Sequence, residues 1–134
     1  MTATNPITIL LVEDDDLFAG MVDKMLVRAG YNLIRASDGR KAMRAYNPHT
    51  VDLVLTDLVM PDMEGIELIC ELRRLHPGVK IIAMSGGGRN RPETLLQPAR
   101  LLGAVCTLEK PFSNQQLLNA LDSTLGRTSN QPAQ

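Results

Sequence analysis

The chain has 134 residues, a length typical of one domain, and 44% of them are hydrophobic, enough for a sizeable core. Fourteen basic and fifteen acidic residues leave it nearly neutral, and no basic stripe indicates nucleic-acid binding. No apolar run approaches the roughly 20 residues that span a bilayer, and the start "MTATNP" does not resemble a signal peptide. The two cysteines lack the spacing of metal ligands and suit a reducing compartment. We therefore expect a cytoplasmic protein with no membrane partner.

Five apolar runs predict the strands of a sheet. Most of them are continuous and rich in β-branched residues, which is typical of strands buried on both faces. In chain order the predicted strands are Ile7–Val12, Tyr31–Ala36, Val51–Thr56, Val79–Met84 and Gly103–Glu109.

Segments with helical periodicity alternate with these runs. The predicted helices are Leu17–Gly30, Asp38–Asn47, Glu64–Leu75 and Ser113–Gly126. On the first of them, one side carries Leu17, Met21, Met25 and Leu26. On the third, the residues predicted to face inward are Ile66, Ile69, Leu72 and Leu75. Gly30 is the predicted stop of the first helix, and Ser113 is the predicted N-cap of the last.

A further helix is predicted between the fourth and fifth strands. A helix that ran through Pro98 would lose about 3 kcal/mol, so we expect a short turn near Pro92–Leu96 and a helix that starts close to Pro98. The polar end of the chain is expected to be a disordered tail. The predicted division is therefore a domain over residues 5–126 and a tail over residues 127–134.

Alternating strands and helices predict an α/β domain with a five-stranded parallel sheet. In such sheets ligands bind at the carboxyl ends of the strands. At these ends the sequence places four acidic residues (13–16), Asp57, Ser85 with Gly86, and Lys110. We therefore expect these side chains to lie at one edge of the sheet.

Crowded carboxylates need an opposing charge, and Mg²⁺ is a hard cation that prefers oxygen ligands. A lysine supplies a compact positive charge for an anion. A site with both indicates phosphoryl chemistry, with Asp57 as a nucleophile that forms an acyl phosphate. Each feature alone also has a simpler interpretation, because acidic residues favour helix N-termini and Asp, Ser and Gly are common in caps and turns.

Four motifs together resemble the receiver domains of response regulators, the CheY-like family of two-component signalling. They are "ILLVEDD", "DLVLTDLVMPDMEG", "IIAMSGG" and "TLEKPF". The resemblance implies a flavodoxin-like (βα)5 fold with strand order 2-1-3-4-5. It also implies that Asp57 accepts a phosphoryl group and that Lys110–Pro111 is a cis peptide bond.

The resemblance assigns the remaining site residues as well. Mg²⁺ is expected to bind Glu13, Asp14, Asp57 and the backbone carbonyl of Val59. The phosphoryl group is expected to contact Leu58, Ser85, Gly86 and Lys110. Many receivers have a switching aromatic residue three positions before the lysine, but here that position is Thr107. Switching is therefore expected to run through Gly86–Gly88 and the helix near Pro98, and Val59 and Gly87 imply slow to moderate self-dephosphorylation.

By the same resemblance, the phosphoryl donor is a sensor histidine kinase or a histidine phosphotransfer protein. We expect no output domain after residue 126, so a downstream protein is expected to dock on the helix near Pro98, the fifth strand and the last helix. The module is not expected to be an enzyme, beyond catalysing its own phosphorylation and slow dephosphorylation. Two alternative functions are disfavoured. A Mg²⁺-dependent phosphohydrolase with an aspartyl nucleophile usually has a second acid two residues after it, where this chain has Val59. A degenerate receiver that only binds other proteins would not need the full set of site residues.

Overall fold

The sheet has five parallel strands in the order β2-β1-β3-β4-β5. The chain is seen in a computed structural model that describes residues 6–58, 65–86 and 106–126. The strands are β1 (Thr8–Val12), β2 (Asn32–Ala36), β3 (Leu53–Asp57), β4 (Ile81–Ser85) and β5 (Cys106–Glu109). The predicted flavodoxin-like fold and its strand order are confirmed. The first four strands begin one or two residues later than predicted. β3 and β4 also end one residue later, so Asp57 and Ser85 are the last residues of their strands rather than the first residues after them.

Four helices lie within the described ranges. They are α1 (Asp16–Arg28), α2 (Gly39–Ala45), α3 (Gly65–Leu75) and α4 (Asn114–Leu125). As predicted, Ser113 is the N-cap of α4, and its side chain and that of Gln116 form a reciprocal capping box. Gly30 has φ of 96° just beyond α1, a conformation that glycine adopts without a Cβ penalty.

The sheet is covered on both faces, which explains why its central strands are apolar on both sides. One face packs mainly against α2 and α3, where the largest buried helical residues are Leu68, Ile69 and Leu72. The other face packs against α1 and α4, where the buried helical residues include Val22, Leu26, Leu117 and Leu121. Every residue of β3 and β4 is buried, so the ends of these strands are held by a rigid core.

The apolar side named for α1 is only partly the side that is buried, and the predicted inward face of α3 was partly wrong. The α1 residues buried against the sheet are Ala19, Val22 and Leu26, whereas Leu17 and Met21 are 85% and 53% exposed. A helix turns about 100° per residue, so Leu17 and Met21 lie well away from the buried stripe. On α3, Leu68 is buried, and Leu75 is 48% exposed because it ends the helix beyond the edge of the core.

Several predicted features lie outside the described residues. These are Val59, Gly87, Gly88, the turn near Pro92–Leu96, the helix near Pro98 and the tail 127–134. In the parts of the chain that are described, no helix has the length and apolar character needed to cross a membrane.

Candidate functional site

Three carboxylates meet at the carboxyl edge of the sheet. Val12 is paired with Thr56 in adjacent parallel strands, so Glu13 and Asp14 leave β1 beside Asp57 at the end of β3. One carboxylate oxygen from each of the three acids lies within 4.8 Å of the others. Glu13 and Asp57 are only 3% and 6% exposed, whereas Asp14 faces solvent. The cluster is thus buried on one side and open on the other.

The Lys110 side chain bridges the two buried carboxylates. Its Nζ lies 2.7 Å from Oε1 of Glu13 and 3.2 Å from Oδ1 of Asp57. The lysine follows β5, and its backbone N–H donates a 2.7 Å hydrogen bond to the carbonyl of Ser85. The next peptide bond, Lys110–Pro111, is cis, as the sequence resemblance implied. Residues 97 positions apart in the chain therefore share one ion-pair network.

Burial and charge act in opposite directions on the ionisation of this cluster. Burial raises the pKa of Asp57 and of Glu13 above their ordinary values, although the Lys110 ammonium partly opposes this shift. Burial alone would lower the pKa of Lys110, but the hydrogen bond and charge of Glu13 and the charge of Asp57 outweigh it and leave that pKa raised. Lys110 therefore stays an ammonium. A further cation beside Glu13 and Asp57 would favour the ionised form of both carboxylates.

The acidic run after β1 divides into two roles. Glu13 and Asp14 belong to the carboxylate cluster. Asp15 is the N-cap of α1, and its Oδ1 accepts hydrogen bonds from the N–H groups of Leu17 and Phe18 at 3.0 and 3.2 Å. Asp16 lies in the first turn of α1, where an acid interacts favourably with the helix dipole. Asp15 and Asp16 therefore serve the start of α1, which is the simpler interpretation of acidic residues after a strand.

The other predicted phosphate-binding residues lie at the same edge. Ser85 is 1% exposed at the end of β4, and its hydroxyl donates a 3.4 Å hydrogen bond to the carbonyl of Gly86. The Leu58 N–H donates to the carbonyl of Met84 at 3.0 Å. Thr107 is half-buried in β5 and is paired with Ala83.

Two residues at the site were not identified from the sequence. A Cβ on Gly65 would lie 2.1 Å from the carbonyl oxygen of Asp57, so this position requires glycine. The Gly65 N–H also donates to the carbonyl of Leu58 at 3.0 Å, which fixes the backbone beside Asp57. The second residue is Phe18, whose ring centroid lies 4.3 Å from Nζ of Lys110. The glycine after "DME" was a visible signal, whereas nothing near Phe18 pointed to Lys110.

The carboxylate cluster suits a hard divalent cation. Three oxygen donors from Glu13, Asp14 and Asp57 converge on one region, and the exposed side of the cluster leaves room for water ligands. Mg²⁺ typically takes one or two carboxylates and keeps several waters. The residues present therefore fit this ion.

The comparisons with known proteins agree with this geometry. The response regulator receiver domain family matches residues 9–122. The chain is 32% identical over 120 residues to the transcriptional regulatory protein GlrR of Escherichia coli, covering 90% of this chain but 26% of that protein. It is 31% identical over 118 residues to the chemotaxis protein CheY of Bacillus subtilis, covering 87% and 96%. The chain thus spans about a quarter of the length of one relative and nearly all of the other.

The fold gives the same result. A CheY-like response regulator receiver domain protein from Methanospirillum hungatei superimposes with a TM-score of 0.80 and 26% identity, covering 91% of this chain and 95% of that one. The order of the strands, the cluster of acids with a lysine at their carboxyl ends, and the match over most of the sequence all agree. The chain therefore belongs to the response regulator receiver domain family of two-component signalling systems.

Proposed function

We propose that this chain is a phosphoacceptor signalling module in which Asp57 takes a phosphoryl group from a phosphohistidine. One observation carries the proposal: the Asp57 carboxylate is buried at the end of β3, next to the Lys110 ammonium and two further carboxylates. This is an unfavourable place for a purely structural aspartate, because burial raises its pKa and disfavours the charged form, and the Lys110 ammonium only partly opposes that shift. A nucleophile for phosphoryl transfer benefits from an adjacent cation that neutralises charge on the transferring group, and Lys110 lies 3.2 Å from Asp57.

In the proposed reaction, an oxygen of Asp57 attacks phosphorus and forms a new P–O bond as the P–N bond to histidine breaks. The departing imidazole keeps the electron pair of that bond and is protonated from solvent. Lys110 already lies 3.2 Å from Asp57, so it has only a short distance to move toward a phosphoryl oxygen. The Ser85 hydroxyl and the backbone N–H of Gly86 are the proposed hydrogen-bond donors to the other oxygens. The Leu58 N–H, which was also expected to contact the phosphoryl group, already donates to the Met84 carbonyl, so Leu58 is not proposed as a donor.

The proposed cofactor is Mg²⁺, held by Glu13, Asp14, Asp57 and the carbonyl of Val59. When bound, it would neutralise negative charge on the transferring group. The first three residues supply the convergent oxygens described above, and Val59 lies outside the described residues. The cluster holds one ammonium against three carboxylates, which supports a role for an added cation.

The proposed donor is a sensor histidine kinase or a histidine phosphotransfer protein in the cytoplasm. Phosphorylation would then signal through a docking surface on the helix predicted near Pro98, on β5 and on α4, or the phosphoryl group would pass onward. Within this surface Leu117 is fully buried in the core, so it is not an exposed docking residue. We propose a signalling module rather than an enzyme with a separate substrate, although it would catalyse its own phosphorylation and dephosphorylation.

The direct test is incubation with acetyl phosphate and Mg²⁺, followed by intact mass spectrometry. We expect one phosphoryl group on the wild type and none on Asp57→Asn or without Mg²⁺. Asp52→Asn is a matched control, because Asp52 lies outside the site and its carboxylate accepts a hydrogen bond from the Thr8 N–H that an asparagine can also accept.

Modification that persisted in Asp57→Asn would place the acceptor elsewhere. A wild type that failed to react, and that also failed to bind Mg²⁺ with beryllofluoride, would overturn the proposal. Steady turnover of small phosphate esters would instead favour a phosphohydrolase.

A further inference from the structure

The Lys110 ammonium contacts an aromatic face as well as two carboxylates. Its Nζ is 2.7 Å from Glu13, 3.2 Å from Asp57 and 4.3 Å from the centroid of the Phe18 ring. An ammonium has three N–H donors, and a ring face attracts it through the quadrupole of the π system. The side chain is 17% exposed, so this attraction acts in a partly desolvated setting. Groups from three parts of the chain therefore define where the ammonium lies.

The Phe18 ring is itself held in place. Its backbone N–H bonds to the N-cap Asp15, which fixes the first turn of α1. Its ring meets that of Phe112 in an edge-to-face contact, with centroids 5.6 Å apart and an interplanar angle of 86°. Phe112 is buried two residues beyond Lys110. The chain has only two phenylalanines, and both lie beside this lysine.

We infer that Phe18 is a positioning residue for Lys110, and that its ring holds the ammonium in place over Asp57. The inference rests on the proposed phosphoacceptor function. A lysine has a flexible four-carbon stem, so it loses considerable rotamer freedom when it is fixed. The ring attracts the ammonium as a whole and does not need one particular N–H group as a donor. Lys110 can therefore exchange a carboxylate for a phosphoryl oxygen while its contact with Phe18 persists.

The first test measures the contact itself and needs no phosphorylation. The chain has four lysines, so selectively labelled lysine gives four sets of εCH₂ signals, and Lys110→Arg assigns the relevant one. In the wild type we expect the Lys110 signals to be shifted upfield by the ring current of Phe18. Phe18→Leu should remove that shift, whereas Phe18→Tyr should keep it. Tyr46→Leu, which removes a ring packed against His76 instead, should leave it unchanged.

The second test measures the rate of phosphorylation by acetyl phosphate at saturating Mg²⁺. We expect Phe18→Leu to react about five- to tenfold more slowly, in line with a partly desolvated cation–π contact. Phe18→Tyr should stay within about twofold of the wild type, because it keeps the ring face. Urea unfolding of each variant separates this effect from a loss of stability.

The two tests distinguish failure of this inference from failure of the proposed function. A wild type that takes no phosphoryl group would overturn the proposed function, while the lysine signals would still report on the contact. An unshifted Lys110 signal in the wild type, or an unchanged rate in Phe18→Leu, would overturn the positioning role. Equal slowing in Phe18→Leu and Phe18→Tyr would also overturn it, because packing rather than the ring face would then be responsible.

Discussion

Asp57 combines a chemical role with a cost to stability. Burial raises its pKa, so the folded protein takes up a proton there at a higher pH than the unfolded chain does. A carboxylate whose pKa is raised by folding destabilises the folded state at neutral pH, and this effect is relieved as the pH falls through the raised pKa. The acceptor thus lowers stability under the conditions in which it is reactive.

The first prediction is that Asp57→Asn is more stable than the wild type at neutral pH. We expect a gain on the order of 1 kcal/mol in the free energy of unfolding, because asparagine removes the cost of burying a charge at a functional position. The gain should shrink as the pH falls, because the wild-type carboxyl then becomes neutral as well. Urea denaturation without Mg²⁺ measures both effects, with Asp52→Asn as the control. A less stable Asp57→Asn would show that pairing with Lys110 outweighs desolvation.

The second prediction concerns Gly65. A methyl group there would clash with the backbone of Asp57 and Leu58, so Gly65→Ala should lose about 1–3 kcal/mol of stability through overpacking. It should also slow phosphorylation, because the acceptor would move. Gly20→Ala is the matched control, since a Cβ on Gly20 would meet no described atom within 4 Å and alanine favours a helix. If the two variants behaved alike, the close approach at Gly65 would not matter.

At the scale of elements, α1 connects the acidic run to the lysine. Its N-terminus depends on the Asp15 side chain, and its first turn carries Phe18 to Lys110. The third prediction is that Asp15→Ala costs about 1 kcal/mol of stability, whereas Asp15→Ser costs only a few tenths because serine also caps helices.

Asp16→Ala is the comparison for that experiment. Asp16 is highly exposed, and its ion pair with Arg35 spans 3.8 Å, so we expect a loss below about 0.5 kcal/mol. Chemical denaturation of the three variants would test whether neighbouring acids in one run have separate roles. A larger loss for Asp16→Ala than for Asp15→Ala would contradict the assigned cap.

The elements were largely predictable, and the reasons are local. Strands such as β3 and β4 are continuous apolar runs, and Ser113 has the chemistry of an N-cap. The buried face of α1 was harder, because Leu17 and Met21 have the expected spacing but face away from the sheet. The periodicity of a sequence shows that a helix has an apolar face. Which face is buried depends on packing, and in α1 the small or branched residues Ala19 and Val22 lie against the sheet.

At the scale of the whole molecule, the site depends on topology. Parallel strands bring the residues at the ends of β1, β3, β4 and β5 to one edge, so strand positions were enough to predict where Glu13, Asp57, Ser85 and Lys110 meet. The individual roles of the site residues, and the inclusion of Leu58, Val59 and Thr107, came from the family resemblance. The contacts of Gly65 and Phe18 did not follow, because each joins segments whose distance depends on how a helix packs against the sheet. Sequence therefore located the site, and the structure was needed to show what holds it in place.

The fourth prediction is that Mg²⁺ stabilises the whole domain and that this effect depends on pH. An ion that binds only the folded state adds about 2.7 kcal/mol at a hundred times its Kd. Because the pKa values of Glu13 and Asp57 are raised, protons compete with the metal at a higher pH than ordinary carboxylates would allow. Thermal unfolding with and without Mg²⁺ should show a stabilisation that weakens as the pH falls. Mg²⁺ should stabilise Glu13→Gln less than the wild type at neutral pH. If Mg²⁺ stabilised both proteins equally, Glu13 would not be a metal ligand.

Phosphorylation of the carboxylate cluster should also make the phosphorylated and unphosphorylated forms of the protein easy to separate by charge. With all four groups ionised, three carboxylates and one ammonium give the cluster a charge of 1 − 3 = −2. A phosphoryl group converts one carboxylate into an acyl phosphate, whose phosphate carries about −1.5 to −2 near neutral pH. The whole chain has a formal net charge of only −1 and a pI near 6.1, so this change is large in relative terms. Isoelectric focusing should therefore resolve the modified from the unmodified form and report the occupancy of Asp57 directly in a cell extract.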